Sequence, residues 1–249
     1  MTKKIAVLAL AMPMGLAGCN GVAGPSEVRT PVIYATAEQG SVLVRIDPST
    51  GAATVVGPLN VSGAFALARR SDGILFTVTD SGFTPNPNAR AATVDPRTAG
   101  ANVFGQPFGE YLRMMGLAFG HDGTLYGSSP ITQSLYRIDQ LTGQPVRIGP
   151  FGVNGVMDLA VDADGGLWAN TQTALYRVDP GSGSATLAVR VTGASMLMGI
   201  TFEPSGALLA TTYEPQSMLY RIDLETGAAS LVGSTGVGFV HSAEFFRGR

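Results

Sequence analysis

Asp158 and His241 are the two side chains that could act together as an acid and a base, because internal repeats place them at neighbouring positions. A carboxylate beside an imidazole can transfer protons in general acid–base catalysis. The sequence contains none of the common catalytic signatures HExxH, CxxC and GxSxG, and no phosphate-binding glycine loop. It therefore favours a binding or scaffold protein, with a hydrolase or lyase that uses Asp158 and His241 as the alternative.

The residues around this pair are mostly apolar. The repeats align five residues at one position: Phe65, Met115, Met157, Met198 and His241. The next position holds Ala66, Gly116, Asp158, Gly199 and Ser242. Three interpretations stay open: methionine and phenylalanine plug the centre of the fold, thioethers and imidazole bind a soft metal such as Cu(I), or the ring forms a ligand pocket of mixed character. We expect neither a cofactor nor a bound metal.

A repeated phrase sets these positions. LYRIDQLTGQPVRIG (135–149) recurs as LYRIDLETGAASLVG (219–233), and related copies begin at Leu43, Ala91 and Leu175. Each copy carries one aspartate, 40 to 48 residues from the next: Asp47, Asp95, Asp139, Asp179 and Asp223. Such a period is typical of a four-stranded propeller blade. We expect these aspartates to form turns, because Asp can accept a hydrogen bond from the backbone two residues ahead.

Each unit also has an earlier half, in which two apolar runs flank HDG, ADG, SDG or PSG, as a hairpin would. Four strands per unit follow. The first unit, from Pro31, lacks an innermost strand, whereas the segment VHSAEFF (240–246) has the innermost pattern and no following turn. The sequence therefore predicts an all-β fold, a five-bladed β-propeller of four-stranded antiparallel blades, closed by pairing of the C-terminal strand with the N-terminal blade.

The unit GLAFxxDGxLY…LYRIDxxTGxxxxIG resembles bacterial propeller repeats of the NHL, SMP-30-like and quinoprotein-like proteins, over nearly all of residues 31–247. The resemblance implies the fold, but its members include lactonases, lyases, dehydrogenases and binding proteins. An SMP-30-like metal site needs several Glu, Asn or Asp residues at the channel. Here the candidates reduce to Asp158, His241 and Glu244, and strand alternation is expected to direct Glu244 away from the others.

The N-terminus predicts export. Lys3 and Lys4 precede an apolar run that is too short to span a bilayer, and LAGC (16–19) resembles the lipobox of bacterial lipoproteins. We expect residues 1–18 to be a signal peptide, Cys19 to be lipidated, residues 19–30 to be a tether and residues 31–249 to form the propeller. The protein would then be extracytoplasmic in the bacterial cell envelope. In a Gram-negative cell, Asn20 instead of Asp favours the outer membrane, facing the periplasm.

The remaining predictions concern partners. Without residues 1–18 the chain has 14 arginines, no lysine and 18 acidic residues, which argues against a nucleic-acid partner. An insertion in the second unit and its long exit offer a contact surface for an envelope protein, a glycan or a small ligand; the other interpretation is an insertion without a role. The candidate contact residues are Phe83, Arg90, Tyr111 and Arg113. We expect a monomer.

Overall fold

The computed structural model describes residues 31–79, 87–109 and 112–246, and within them the chain is built from strands and turns. No helix in this part of the chain is long and apolar enough to cross a membrane. The strands are β1 (Val32–Ala37), β2 (Val42–Ile46), β3 (Ala53–Pro58), β4 (Ala68–Arg69), β5 (Leu75–Val78), β6 (Ala91–Val94), β7 (Ala101–Val103), β8 (Gly116–Phe119), β9 (Leu125–Ser129), β10 (Ser134–Ile138), β11 (Pro145–Pro150), β12 (Asp158–Val161), β13 (Leu167–Thr171), β14 (Ala174–Val178), β15 (Ala185–Arg190), β16 (Leu197–Phe202), β17 (Leu208–Thr212), β18 (Met218–Ile222), β19 (Ala229–Ser234) and β20 (Glu244–Phe246).

These strands form five four-stranded antiparallel sheets, and the protein is a five-bladed β-propeller. Blade 1 has the strand order β20-β1-β2-β3, and blades 2 to 5 are β4–β7, β8–β11, β12–β15 and β16–β19. The last strand pairs with the first, with Glu244 opposite Tyr34 and Phe246 opposite Val32. The predicted fold and ring closure are therefore confirmed, although β20 is shorter than the predicted segment 240–246.

The hydrophobic core is divided among the blade interfaces. Five clusters of buried side chains each join two neighbouring blades, such as Phe76 of blade 2 with Leu117 of blade 3, and Ile33 of blade 1 with Leu209 of blade 5. A blade has apolar residues on both faces and cannot bury them alone. This explains why the chain repeats one phrase five times.

The recurrent aspartates form turns, as predicted. In each of the five turns the N–H two residues ahead donates to the aspartate side chain, at 2.7 to 2.9 Å. Hydrogen bonds from the turn residues lower the pKa of each carboxyl. The turns also touch the preceding blade: Gly227 of blade 5 has φ of +75°, and a Cβ there would overlap the carbonyl oxygen of Arg190 in blade 4. These carboxylates therefore have a structural role.

Candidate functional site

The inner strands β4, β8, β12, β16 and β20 surround the central channel. We name the end at which the chain enters these strands the upper mouth, and the end at which it leaves them the lower mouth. The predicted ring lies at the upper mouth. Phe65, Met115 and Met198 form one buried cluster, with Met157 and Tyr213 packed against it.

His241 completes this ring. Its N–H donates to the carbonyl of Thr36 at 2.9 Å, as the N–H of Met115 does to Ser128 and that of Met157 to Asn170, so the three positions are structurally equivalent. The imidazole stacks on Phe65 with centroids 3.9 Å apart and lies 4.8 Å from the ring of Tyr213. Both ring nitrogens are enclosed and have no hydrogen-bond partner among the residues that the structure describes. The side chains thus fill the upper mouth.

Arg113 lies beside the same ring. Its guanidinium carbon is 5.9 Å from the Phe65 centroid, and its Nε donates to the sulfur of Met115 at 3.2 Å. Burial lowers the pKa of His241 to about 3, and the charge of Arg113 acts in the same direction. His241 is therefore uncharged at neutral pH, and a neutral imidazole suits an apolar plug.

Asp158 lies inside the channel and is only 1% exposed. One carboxyl oxygen accepts the N–H of Ile200 at 3.1 Å, and the other has no hydrogen-bond partner in the described part of the chain. Glycines at the equivalent positions of blades 3 and 5 leave room: a Cβ on Gly116 would lie 2.5 Å from the Cα of Asp158. Burial raises the pKa of Asp158 well above its ordinary value. Asp158 and the equally buried His241 are thus enclosed, and neither is placed to touch a substrate in this structure.

The other predicted contact residues are only partly described. Cys19, Phe83 and Tyr111 lie outside the described residues. Arg90 follows the gap at 80–86, and its carbonyl accepts the N–H of Thr79 at 2.8 Å. Because β5 runs back from the lower to the upper end and Arg90 directly precedes β6, Arg90 lies on the same side of the propeller as Arg113. The described residues contain no group of three or more His, Cys, Asp or Glu side chains able to hold a metal ion.

The lower mouth opens into a cavity of about 600 Å³. All five blades contribute to it, through the ends of the inner strands and the turns that follow them. Its walls are apolar at Ala118, Phe119, Ala160, Val161, Phe202, Pro204 and Phe245. Its polar side chains include Arg69, Arg70, His121, Asp162, Thr201, Glu203 and Glu244. A cavity of this size with mixed walls is typical of small-molecule sites.

Glu244 and Arg69 belong to adjacent inner strands at this mouth. Burial raises the pKa of Glu244 to about 8, although the charge and the backbone of the neighbouring Arg69 act in the opposite direction. The expectation that Glu244 points away from the channel residues was wrong. Residues two apart on a strand share a face, so Glu244 lies on the face of Ser242 and interacts electrostatically with Asp158.

The sequence contains a signal for this site, namely positions at which one blade departs from the repeat. Strand pairing places Glu244 at the position held by Ala68, Ala118, Ala160 and Thr201 in the other blades. A charged side chain is out of pattern there, as is Arg69 at the following position, where blades 3 to 5 have Phe119, Val161 and Phe202. Departures from the repeat therefore mark the lower mouth.

Residues 112–238, slightly more than half of the chain, match the model of a family described as a repeat of unknown function, DUF6923. No curated protein matches the chain. In a nidogen/laminin complex, one chain aligns with a TM-score of 0.59 at 10% identity, covering 86% of this chain and 98% of that one. A structural genomics protein of unknown function from Bacteroides thetaiotaomicron gives 0.61 at 12% identity, covering 88% and 65%. A symmetrical protein from a study of de novo evolutionary emergence gives 0.53 at 18%, covering 85% and 98%. At these identities the likeness shows the fold alone.

Proposed function

The chain belongs to the DUF6923 repeat family, and from this premise we propose that it is a ligand-binding module of the bacterial cell envelope. A lipid on Cys19 holds it at the membrane, outside the cytoplasm, and in a Gram-negative cell at the outer membrane, facing the periplasm. The propeller binds a small organic molecule at its lower mouth and does not transform it. The observation that carries this proposal is the cavity of about 600 Å³ to which all five blades contribute.

The contrast between the two mouths supports this site. At the upper mouth the aligned ring is closed by its own side chains, with Phe65, Met115 and Met198 each 5% exposed or less. At the lower mouth the inner strands carry small residues such as Ala118 and Ala160, which leave space between the blades. A rigid, closed ring gives a preformed pocket, which lowers the entropic cost of ordering a binding site.

A cavity-filling variant tests the binding role. Val161 is partly exposed and lines the cavity, so Val161→Trp directs its added volume into the pocket. The matched control is Val55→Trp on the outer strand β3, where Val55 is 54% exposed. We expect ligand-observed NMR of the full-length protein in detergent, with a mixed set of small aromatic acids, amines and amides, to show binding that Val161→Trp abolishes and Val55→Trp preserves. If Val161→Trp abolishes the binding of no compound in the set, the proposed function is refuted.

The anchor is tested separately by cell fractionation. Cys19 is the only cysteine of the chain, so Cys19→Ser removes the single acylation site and affects no other thiol. We expect the wild-type protein in the membrane fraction and the variant outside it, because stable anchoring requires the acyl chains. Identical fractionation of the two proteins contradicts the lipid anchor.

A further inference from the structure

Two of the three acidic side chains that line the lower cavity are neutralised by partners beside it. Asp162 accepts hydrogen bonds from Arg177 and from the Trp168 indole, both at 2.7 Å. Glu203 is paired with Arg221 at 2.8 Å. These two carboxylates therefore add little net negative charge to the cavity.

Glu244, the third acidic side chain of the lining, is largely uncharged at neutral pH because burial raises its pKa to about 8. The charged and titratable groups that face it are the Arg69 guanidinium of blade 2 and the Asp158 carboxyl deeper in the channel. His121 lies farther around the rim. In its protonated form Glu244 is a hydrogen-bond donor and not a counter-ion.

The two cations of the lining differ in their partners. Arg70 is held by Asp72, with its terminal nitrogen 2.7 Å from the carboxylate. Arg69 forms no ion pair within the described residues; its guanidinium carbon lies 4.9 Å from the centroid of Phe246, and its enclosed Nε has no hydrogen-bond partner. Arg69 is thus the one uncompensated charge of the described cavity wall, and a buried unmatched donor on a cation favours an anionic partner.

We propose that the lower cavity binds a small organic carboxylate, whose anionic group contacts Arg69 and Glu244 and whose apolar body lies against Phe119, Val161 and Phe202. This inference rests on the proposed function and specifies its ligand class. Guanidinium and carboxylate match in charge and geometry, and a protonated Glu244 donates to the second carboxylate oxygen. The apolar part of the wall favours an organic anion over a fully hydrated ion such as free phosphate.

The same arrangement makes binding sensitive to alkaline pH. When Glu244 ionises, it supplies an internal counter-ion for Arg69 and repels the ligand carboxylate. The protonated fraction of a group with a pKa of about 8 falls from about nine-tenths at pH 7 to about one-tenth at pH 9. Affinity should therefore fall about tenfold over this interval.

Calorimetric titration of the full-length protein with 4-phenylbutyrate tests the ligand class, with the neutral 4-phenylbutyramide and inorganic phosphate as comparison probes. We expect the acid to bind most tightly. Arg69→Gln should weaken its binding about tenfold or more, because a charge-assisted pair is lost. Arg70→Gln is the matched control, since the neighbouring arginine is already paired with Asp72. Glu244→Gln removes the ionisable group, so whatever affinity the variant has at pH 7 should no longer fall between pH 7 and pH 9.

Three results overturn the carboxylate inference: equal binding of acid and amide, equal effects of Arg69→Gln and Arg70→Gln, or binding of phosphate in preference to the acid. If the amide still binds in a manner that Val161→Trp abolishes, the cavity remains a binding site and only the ligand class is wrong. If no probe is sensitive to Val161→Trp, both proposals fail. Arg69→Lys serves as a second variant should Arg69→Gln unfold, and it must retain part of the affinity.

Discussion

Replacing Glu244 with glutamine should stabilise the protein, and increasingly so as the pH rises from 5 to 8. The Glu244 pKa is about 8 in the folded protein and 4.5 in an unperturbed glutamate. At a pH between these two values, the Glu244 carboxyl is ionised in the unfolded chain but stays protonated in the folded protein. Unfolding then releases a proton, so stability falls with rising pH across this window and levels off above it.

The magnitude follows from the size of the pKa interval. One pKa unit corresponds to about 1.4 kcal/mol, so the raised pKa of Glu244 costs the folded state about 3 kcal/mol at pH 7 and about 4 kcal/mol at pH 8. These figures are upper bounds, because Glu244 is partly accessible from the cavity. Glutamine has nearly the same shape and no charge to lose. The stability difference between variant and wild type should grow by up to about 3.5 kcal/mol from pH 5 to pH 8.

Urea unfolding at half-unit pH steps measures this difference directly. The matched control is Glu225→Gln, which removes a carboxyl from an exposed turn of blade 5. In Glu244→Gln, Asp158 should still lower the stability as the pH rises, because burial raises its pKa, whereas His241 should raise the stability between pH 5 and 6.5, because burial lowers its pKa. A Glu244→Gln difference that stays constant with pH, or that turns destabilising at pH 8, refutes the assignment of Glu244 as a protonated acid in the cavity.

Three further predictions concern the scaffold, each measured by thermal or urea unfolding. Asp162→Ala leaves the indole N–H of Trp168 buried without its acceptor and should lower the free energy of unfolding by about 2 to 4 kcal/mol. The control Asp164→Ala, in the exposed part of the same turn, should lower it by less than about 0.5 kcal/mol. Equal losses in the two variants would contradict the role of Asp162 as the acceptor for Trp168. Gly227→Ala should destabilise the protein more than Gly73→Ala, because both glycines have positive φ but only Gly227 contacts another blade. The reverse order would refute the contact between the Gly227 turn and blade 4. Deleting β20 exposes the edge of β1 and should abolish cooperative unfolding, and a deletion variant with unchanged stability argues against ring closure.

The blades could be predicted because each depends on local signals that the chain repeats. Turn aspartates, hairpin glycines and alternating apolar runs recur at a fixed spacing, and the ring closure followed from one missing strand and one surplus strand. Strand ends were less predictable: the short β4 and β20 are assigned by hydrogen bonds to neighbouring strands, which a linear pattern does not contain. The ring at the upper mouth could also be predicted, because residues at the same distance from their hairpin turns occupy equivalent positions in the blades.

The lower mouth was harder to predict because its character arises from contacts between blades. A single copy of the repeat shows Arg69 as one charged residue beside another, and only the structure shows that Arg70 is paired whereas Arg69 faces a protonated Glu244. In a repeat protein, positions filled alike in every blade serve the packing of the ring, which all blades share. A ligand is not five-fold symmetric, so its site must be built from the residues in which the blades differ. By this reasoning Arg69 and Glu244, which occur once each at positions otherwise small or apolar, indicate function better than the methionine ring does.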